Sequence, residues 1–141
     1  KTKYNKFLKN QRIKMKKIIS TTKAPSAIGP YNQATSFEKL VFTSGQIALD
    51  PKTMEIVNGG VQEQTKQVME NLKAVLEEAS SSFENVLKTT CYLSDMDNFV
   101  AFNEIYGEYF KGETAPARST VAVKTLPKNV LVEVDVIAFK N

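Results

Sequence analysis

The sequence predicts a single α+β domain in which two helices pack on one face of a mixed β-sheet. The chain has 141 residues, which is enough for one domain with its own hydrophobic core and too few for two ordinary ones. Its apolar residues, 42% of the total, recur with the helical period in some segments and with the strand period in others. These segments follow the order β-β-α-β-α-β-β without an internal repeat, which is typical of an α+β sandwich.

The first half of the chain predicts two strands and the clearest helix. Residues 17–20 predict a short strand, and residues 23–36, rich in Pro, Gly and small polar residues, predict a loop. Residues 40–49 predict a strand because apolar and β-branched residues dominate them. Residues 61–79 predict a helix, since their apolar members recur at the i, i+3, i+4, i+7 spacing of one buried face.

The second half predicts a strand at 86–93, an aromatic-striped helix at 98–110, and strands at 119–123 and 130–139. Alternate valines of the last strand share one face, while Leu131, Ile137 and Phe139 lie on the other. The sheet therefore has an apolar second face that no element of the chain covers. Because such faces are usually buried against another chain, we expect a homo-oligomer.

Charge separates the N-terminal end from the rest. Residues 1–17 contain eight basic residues and no acidic one, whereas the remaining residues contain 11 basic and 15 acidic ones. We expect residues 1–15 to be a basic, disordered extension and residues 16–141 to form the domain. The extension is a solvated segment, a remnant of an organelle-targeting signal or a nucleic-acid-binding arm. The expected location is the cytoplasm, with an organelle as the alternative.

The chain has no histidine and one cysteine, Cys91. This excludes an internal disulfide, a zinc site with histidine ligands, and a serine or cysteine nucleophile activated by histidine. We therefore expect no metal site. Cys91 lies in an apolar strand and is expected to be a buried thiol. The acidic balance of the domain makes nucleic acid an unexpected partner.

A few polar residues stand in positions where their types suggest chemistry. Arg118 is the only arginine after residue 17, and it is either a surface ion pair or a clamp for a carboxylate or phosphate. Glu133 lies mid-strand, either on an exposed face or as an acid lining a cleft between subunits. Asn103 interrupts the aromatic stripe of the second helix, Tyr31 follows Gly-Pro in a loop, and Gly45 interrupts a strand.

Five short motifs together resemble one known family. They are Gly29-Pro30-Tyr31-Asn32-Gln33-Ala34, Thr43-Ser44-Gly45-Gln46-Ile47, Lys88-Thr89-Thr90, Pro116-Ala117-Arg118-Ser119, and Leu126-Pro127 with Val132-Glu133-Val134. On these motifs the chain is similar, over about residues 16–141, to the reactive-intermediate deaminase (Rid, or YjgF) family, also called the L-PSP endoribonuclease family.

The resemblance implies a chorismate-mutase-like fold assembled as a homotrimer, with a central β-barrel, the helices outside and active sites in the clefts between subunits. It implies hydrolysis of small 2-imino and 2-enamino acids, such as 2-iminobutanoate and 2-iminopropanoate, to 2-keto acids and ammonia. Neither a cofactor nor a metal is implied.

The resemblance also implies roles for seven residues. Arg118 would clamp the substrate carboxylate, Glu133 would position or activate the attacking water, and Tyr31 would hydrogen-bond near the reacting nitrogen or water. The remaining residues would bind substrate: Ser44, Gly45 and the backbone of Thr120 would line the pocket, and Asn103 would close it.

Two alternative functions remain at this point. One is an endoribonuclease that inhibits translation, although RNA cleavage generally uses histidine pairs or metal ions and the chain has no histidine. The other is a non-enzymatic trimer that binds small carboxylates or unfolded proteins, in which Arg118 would serve only as a ligand clamp.

Overall fold

The computed structural model of the protein describes residues 3–6 and 15–141. Most of the expected extension at residues 1–15 lies outside these residues, so its disorder stays a prediction. Within the described part of the chain, no helix combines the length and the apolar character that crossing a membrane requires.

Six strands and two α-helices build the domain, and the two helices lie within one residue of their predicted bounds at each end. The strands are β1 (Lys17–Ile19), β2 (Ala34–Phe37), β3 (Leu40–Thr43), β4 (Val86–Leu93), β5 (Ala117–Ala122) and β6 (Val132–Phe139); the helices are α1 (Val61–Glu78) and α2 (Phe99–Tyr109).

Strand β2 corrects the predicted loop over residues 23–36. Its sequence, Ala-Thr-Ser-Phe, has only two residues that favour strands, Thr35 and Phe37, and is too short to be a clear signal by itself. It forms because it pairs with β1 on one side and β3 on the other. The element order is therefore β-β-β-α-β-α-β-β, one strand more than the sequence predicted, within the α+β class that it predicted.

The strands form one six-stranded sheet in the order β1-β2-β3-β6-β4-β5. Only β4 and β5 run parallel, and α2 makes the crossover between them. The predicted valine face of β6 is confirmed: Val132, Val134 and Val136 are buried in the same core as the inner faces of the helices. Both helices therefore cover one face of the sheet.

The predicted strand over residues 40–49 ends early, at Thr43. Gln46 rejoins β6 as a bridge to Val134, whereas the last regular pair joins Phe42 to Ile137. Four steps along one chain thus match three along the other, so the segment containing Gly45 bulges out of the ladder. This bulge lies beside residue 133 of β6 and shapes the site described below.

The sheet face opposite the helices carries a group of exposed apolar side chains that no element in the described part of the chain covers, as the sequence predicted. Its exposed side chains cluster where β1, β2, β3 and β6 meet, and Ile18 is 53% exposed. Cross-strand register places the others side by side: Phe37, Leu40, Phe42 and Phe139.

Candidate active site in two halves

A cavity of about 410 Å³ lies between the loop before β2, the bulge after β3, the turn before β6 and the start of β6. Its wall is mixed, with apolar side chains on part of the surface and a single carboxylate. The lining residues are Pro25, Ser26, Ile28, Tyr31, Gln33, Ser44, Gly45, Gln46, Ile47, Leu49, Pro127, Lys128 and Glu133.

Glu133 is the acid of this cavity, and it is half-buried. Burial raises the pKa of its carboxyl above the ordinary glutamate value, and the negative charge of Asp135 on the same strand raises it further. Gly45 makes room for this carboxylate. A Cβ at residue 45 would overlap Glu133 Oε1 and lie 2.8 Å from its Cδ, so the bulge needs glycine for the carboxylate to keep its position.

Tyr31 and Ser44 line the same cavity as Glu133. The Tyr31 hydroxyl accepts a hydrogen bond from the Ile28 backbone N–H at 3.3 Å, and the ring is 47% exposed. Ser44 donates its backbone N–H to Gln33 O at 2.9 Å and its hydroxyl to Asn32 O at 2.5 Å. Both hydrogen-bond donors of Ser44 therefore bind the loop, and only the lone pairs of its hydroxyl oxygen remain available to a ligand.

Gln33 is a site residue that the sequence analysis quoted in a motif but gave no role. Its buried carboxamide accepts from Thr21 N at 2.6 Å and donates to Thr21 O at 3.0 Å and Pro25 O at 2.8 Å. One side chain thus ties the segment after β1 to the loop that carries Tyr31. Its place in the Gly-Pro-Tyr-Asn-Gln-Ala motif was the only signal in the sequence, because neither the burial of Gln33 nor the start of β2 was predicted.

Arg118 belongs to a second group of residues on edge strand β5. Its Nη1 donates to Asn103 Oδ1 of α2 at 2.6 Å. The guanidinium carbon lies 4.6 Å from the Tyr106 ring centroid and 5.4 Å from that of Phe99. Both distances are within cation–π range, so the cation is fixed by two rings and one amide.

Thr120 follows two residues later and lies on the same side of β5. Its hydroxyl is buried and has no hydrogen-bond partner within the described part of the chain. An unpaired buried hydroxyl costs free energy, which a ligand or a second chain would recover.

The two groups lie on opposite sides of the sheet. Arg118 pairs with Thr89, and Thr89 pairs with Val136, so these three residues share the helix side. Glu133 is three positions from Val136 on the same strand and therefore faces the other way. One protomer thus joins Glu133, Tyr31, Ser44 and Gly45 in one half-site and Arg118, Asn103 and Thr120 in another, but does not join the halves.

Cys91 lies in the core beneath the arginine half-site and is fully buried, as predicted. Burial raises the pKa of its thiol to about 11. A thiol with such a pKa is almost wholly protonated at neutral pH and is a poor nucleophile.

Comparison with known proteins places these features in context. The family model described as "Endoribonuclease L-PSP" matches residues 21–140. A RutC family protein from Synechocystis is 58% identical over 86% of this chain and 95% of its own length. The 2-iminobutanoate/2-iminopropanoate deaminase of Mus musculus is 48% identical over 90% of this chain and 93% of its own. The crystal structure of Escherichia coli TdcF with bound serine superposes with a TM-score of 0.83, at 42% identity over 89% of this chain and 99% of that one.

Proposed function

The chain belongs to the endoribonuclease L-PSP family, which includes the Rid proteins, and we propose that it hydrolyses small 2-imino acids to 2-keto acids and ammonia. The observation that carries the proposal is the pair of half-sites. One supplies a single half-buried acid in a cavity, and the other supplies a fixed guanidinium. This reaction needs an acidic residue that activates the attacking water and a cation that binds the substrate carboxylate.

The names of relatives support the substrate class. The mouse relative is named a 2-iminobutanoate/2-iminopropanoate deaminase, and the TdcF structure holds serine, which shares the carboxylate and the three-carbon skeleton of 2-iminopropanoate. The volume of the cavity, about 410 Å³, suits a small metabolite.

We further propose that the active site forms between two copies of the chain within a homotrimer. Because Arg118 and Glu133 lie on opposite sides of the sheet, only a neighbouring copy brings one to the other. The exposed apolar face supports assembly for an independent reason, because burying its aromatic side chains against a second sheet lowers the free energy.

The proposed mechanism begins with the iminium form of the substrate. Arg118 binds its carboxylate, and the Glu133 carboxylate accepts a proton from water while the water oxygen bonds to the imine carbon, giving a carbinolamine. Glu133 then returns that proton to the nitrogen. As the C–N bond breaks, the hydroxyl of the carbinolamine becomes the carbonyl, and its proton passes to the Glu133 carboxylate and from there to the released ammonia. The products are the 2-keto acid and ammonium, and Glu133 is ionised again. A raised carboxyl pKa suits a group that must both accept and return a proton.

The catalytic demand is within reach of these groups. A thousandfold acceleration corresponds to about 4 kcal/mol of transition-state stabilisation. A charge-assisted hydrogen-bonded clamp contributes roughly 1.5–3 kcal/mol, and one positioned acid–base group contributes about a hundredfold.

The test generates the imine in the assay. An amino-acid oxidase releases a 2-imino acid, semicarbazide traps the imine that survives, and the trapped fraction is measured with increasing amounts of the purified full chain. We expect trapping to fall with wild type and to stay near the protein-free value with Glu133→Gln. Trapping that wild-type protein leaves unchanged would rule out the deaminase. The same preparation, incubated with labelled RNA, tests the endoribonuclease alternative.

A further inference from the structure

A buried pair of hydroxyl groups lies directly behind the arginine half-site. Thr89 Oγ1 of β4 and the Tyr106 hydroxyl of α2 are 2.8 Å apart, and both residues are buried. Burial raises the pKa of the Tyr106 phenol, so the group stays neutral and either hydroxyl can donate. The proposed reaction does not use this pair of hydroxyl groups. Because the Tyr106 ring lies 4.6 Å from the guanidinium carbon of Arg118, the pair can instead act on the position of Arg118.

Arg118 needs support because it is on an edge strand with a long side chain. A free arginine side chain loses rotamer entropy when it is fixed, so contacts that hold it have to offset this loss. Asn103 holds only one of its nitrogens, Nη1. The ring of Tyr106, 4.6 Å from the guanidinium carbon, holds the plane of the group as well.

The register of the sheet and the spacing on the helix bring these parts together. Thr89 is the cross-strand partner of Arg118, so Tyr106 reaches over both at once, with its ring on one and its hydroxyl on the other. Phe99, Asn103 and Tyr106 follow the i, i+4, i+7 spacing of one helix face. The hydroxyl pair therefore fixes the position of the ring, and the ring fixes the guanidinium.

We propose that Tyr106 and Thr89 are positioning residues that hold Arg118 flat, so that its Nε–Nη2 edge faces a substrate carboxylate. With Nη1 bound to Asn103, this edge is the side of the fork that remains for two carboxylate oxygens. The inference rests on the proposed function for the identity of the ligand. The arrangement of Arg118 itself is testable without any ligand.

Three variants separate the parts of this device, and one serves as a control. Tyr106→Leu removes the ring, whereas Tyr106→Phe and Thr89→Val each remove one hydroxyl. Tyr109→Phe is the matched control: the Tyr109 hydroxyl also anchors α2, by donating to Glu70 Oε1 at 2.8 Å, whereas among the described residues the hydrogen bond and ring contacts of Arg118 are with Asn103, Phe99 and Tyr106.

The first measurement is NMR of the arginine side chains in the full chain, which has only two arginines, Arg12 and Arg118. Signals of Arg118 are assigned by their loss in Arg118→Lys. We expect ring-current-shifted, ordered Arg118 side-chain signals in wild type and Tyr109→Phe, a smaller shift in Tyr106→Leu, where only the Phe99 ring remains, and greater mobility in Tyr106→Phe and Thr89→Val. Identical Arg118 signals in all of these proteins would overturn the proposal, whether or not the protein is a deaminase.

The second measurement is calorimetric affinity for 2-oxobutanoate, a product of the proposed reaction. Loss of one hydrogen bond of ordinary strength corresponds to about a fivefold weaker affinity, and we expect this in Tyr106→Phe and in Thr89→Val but not in Tyr109→Phe. In the double variant Thr89→Val/Tyr106→Phe, no hydroxyl is left unpaired, so stability should largely recover while affinity stays low. Affinity that recovers together with stability would show a merely structural role and sink the proposal.

Discussion

The two half-sites differ in how the fold holds their charged groups. Glu133 is held by backbone: a bulge, a glycine and a loop tied down by Gln33 form a half-buried recess around it. Arg118 is held by side chains alone, namely two aromatic rings and one amide on a neighbouring helix. The carboxylate needs burial to raise its pKa, whereas the guanidinium needs an accessible edge to bind an anion. One enclosed pocket in one protomer would serve neither need as well as two surfaces that meet.

The two half-sites cannot meet within one chain because side chains alternate between the two faces of the sheet along each strand. Residues that pair across strands share a face, and odd separations along a strand change the face. The predictions below break one half at a time, from the largest expected effect to the smallest.

Removing the acid should have the largest effect. Glu133→Gln keeps the shape of the side chain but cannot accept a proton, so we expect kcat to fall by about a hundredfold or more in the imine-trapping assay. The folded protein should be as stable as wild type or more stable at neutral pH, because the variant removes a half-buried charge.

Asp135→Asn is the matched control for that variant, since it changes the next carboxylate on the same face of β6. It should keep most of the activity at neutral pH. Equal losses in Glu133→Gln and Asp135→Asn would indicate that the strand face, not the cavity acid, carries the reaction.

Weakening the clamp should have the next largest effect. Arg118→Lys keeps the charge but loses the planar fork and the stacking on Tyr106, so we expect kcat/KM to fall by about tenfold to a hundredfold, mostly through KM. Steady-state kinetics with a 2-imino acid and affinity for 2-oxobutanoate measure this. Full activity in this variant would contradict the clamp role.

Part of the fold could be predicted from the sequence, and the part that could not depends on pairing between strands. The helices and the valine face of β6 follow from apolar periodicity, which is a local signal. Strand β2 could not be found in this way because its pairing with β1 and β3, not its composition, makes it a strand. The early end of β3 depends on a bulge whose register is set by β6.

The candidate residues divide in the same way. Arg118 and Glu133 stand out in the sequence because their residue types are rare or costly where they occur. Tyr106 was predicted only as part of the apolar stripe of the helix. Its contact with Arg118 exists because the crossover sets α2 against β5, which periodicity cannot show.

Adding a methyl group beside Glu133 should lower activity moderately while leaving stability nearly unchanged. In Gly45→Ala the new methyl group would displace the Glu133 carboxylate, which is the far end of a flexible side chain, so the fold should tolerate the change. We expect about a tenfold loss in kcat, in the range for an imperfectly placed acid–base group, with a Tm close to that of wild type. A large fall in Tm with unchanged kcat per folded molecule would contradict this account of Gly45.

The smallest effect concerns pH. A base must be ionised to act, and the pKa of Glu133 is raised by burial and by Asp135, so kcat/KM should fall with acidity from a pH above the ordinary glutamate value of about 4.3. Removing the charge of Asp135 lowers the pKa of Glu133, so the acid limb of Asp135→Asn should lie at lower pH than that of wild type. If the acid limb of Asp135→Asn lay at the same pH as that of wild type, Glu133 would not be the group that sets the pH dependence.

Mixing two inactive variants tests the central claim most directly. Arg118→Ala and Glu133→Gln proteins are unfolded together, refolded together in equal amounts and assayed for imine hydrolysis, beside each variant refolded alone. If each site takes its arginine from one copy and its glutamate from the next, random assembly restores about a quarter of wild-type activity. Activity that stays at the level of the single variants, in a mixture shown to have exchanged subunits, would contradict a site shared between copies.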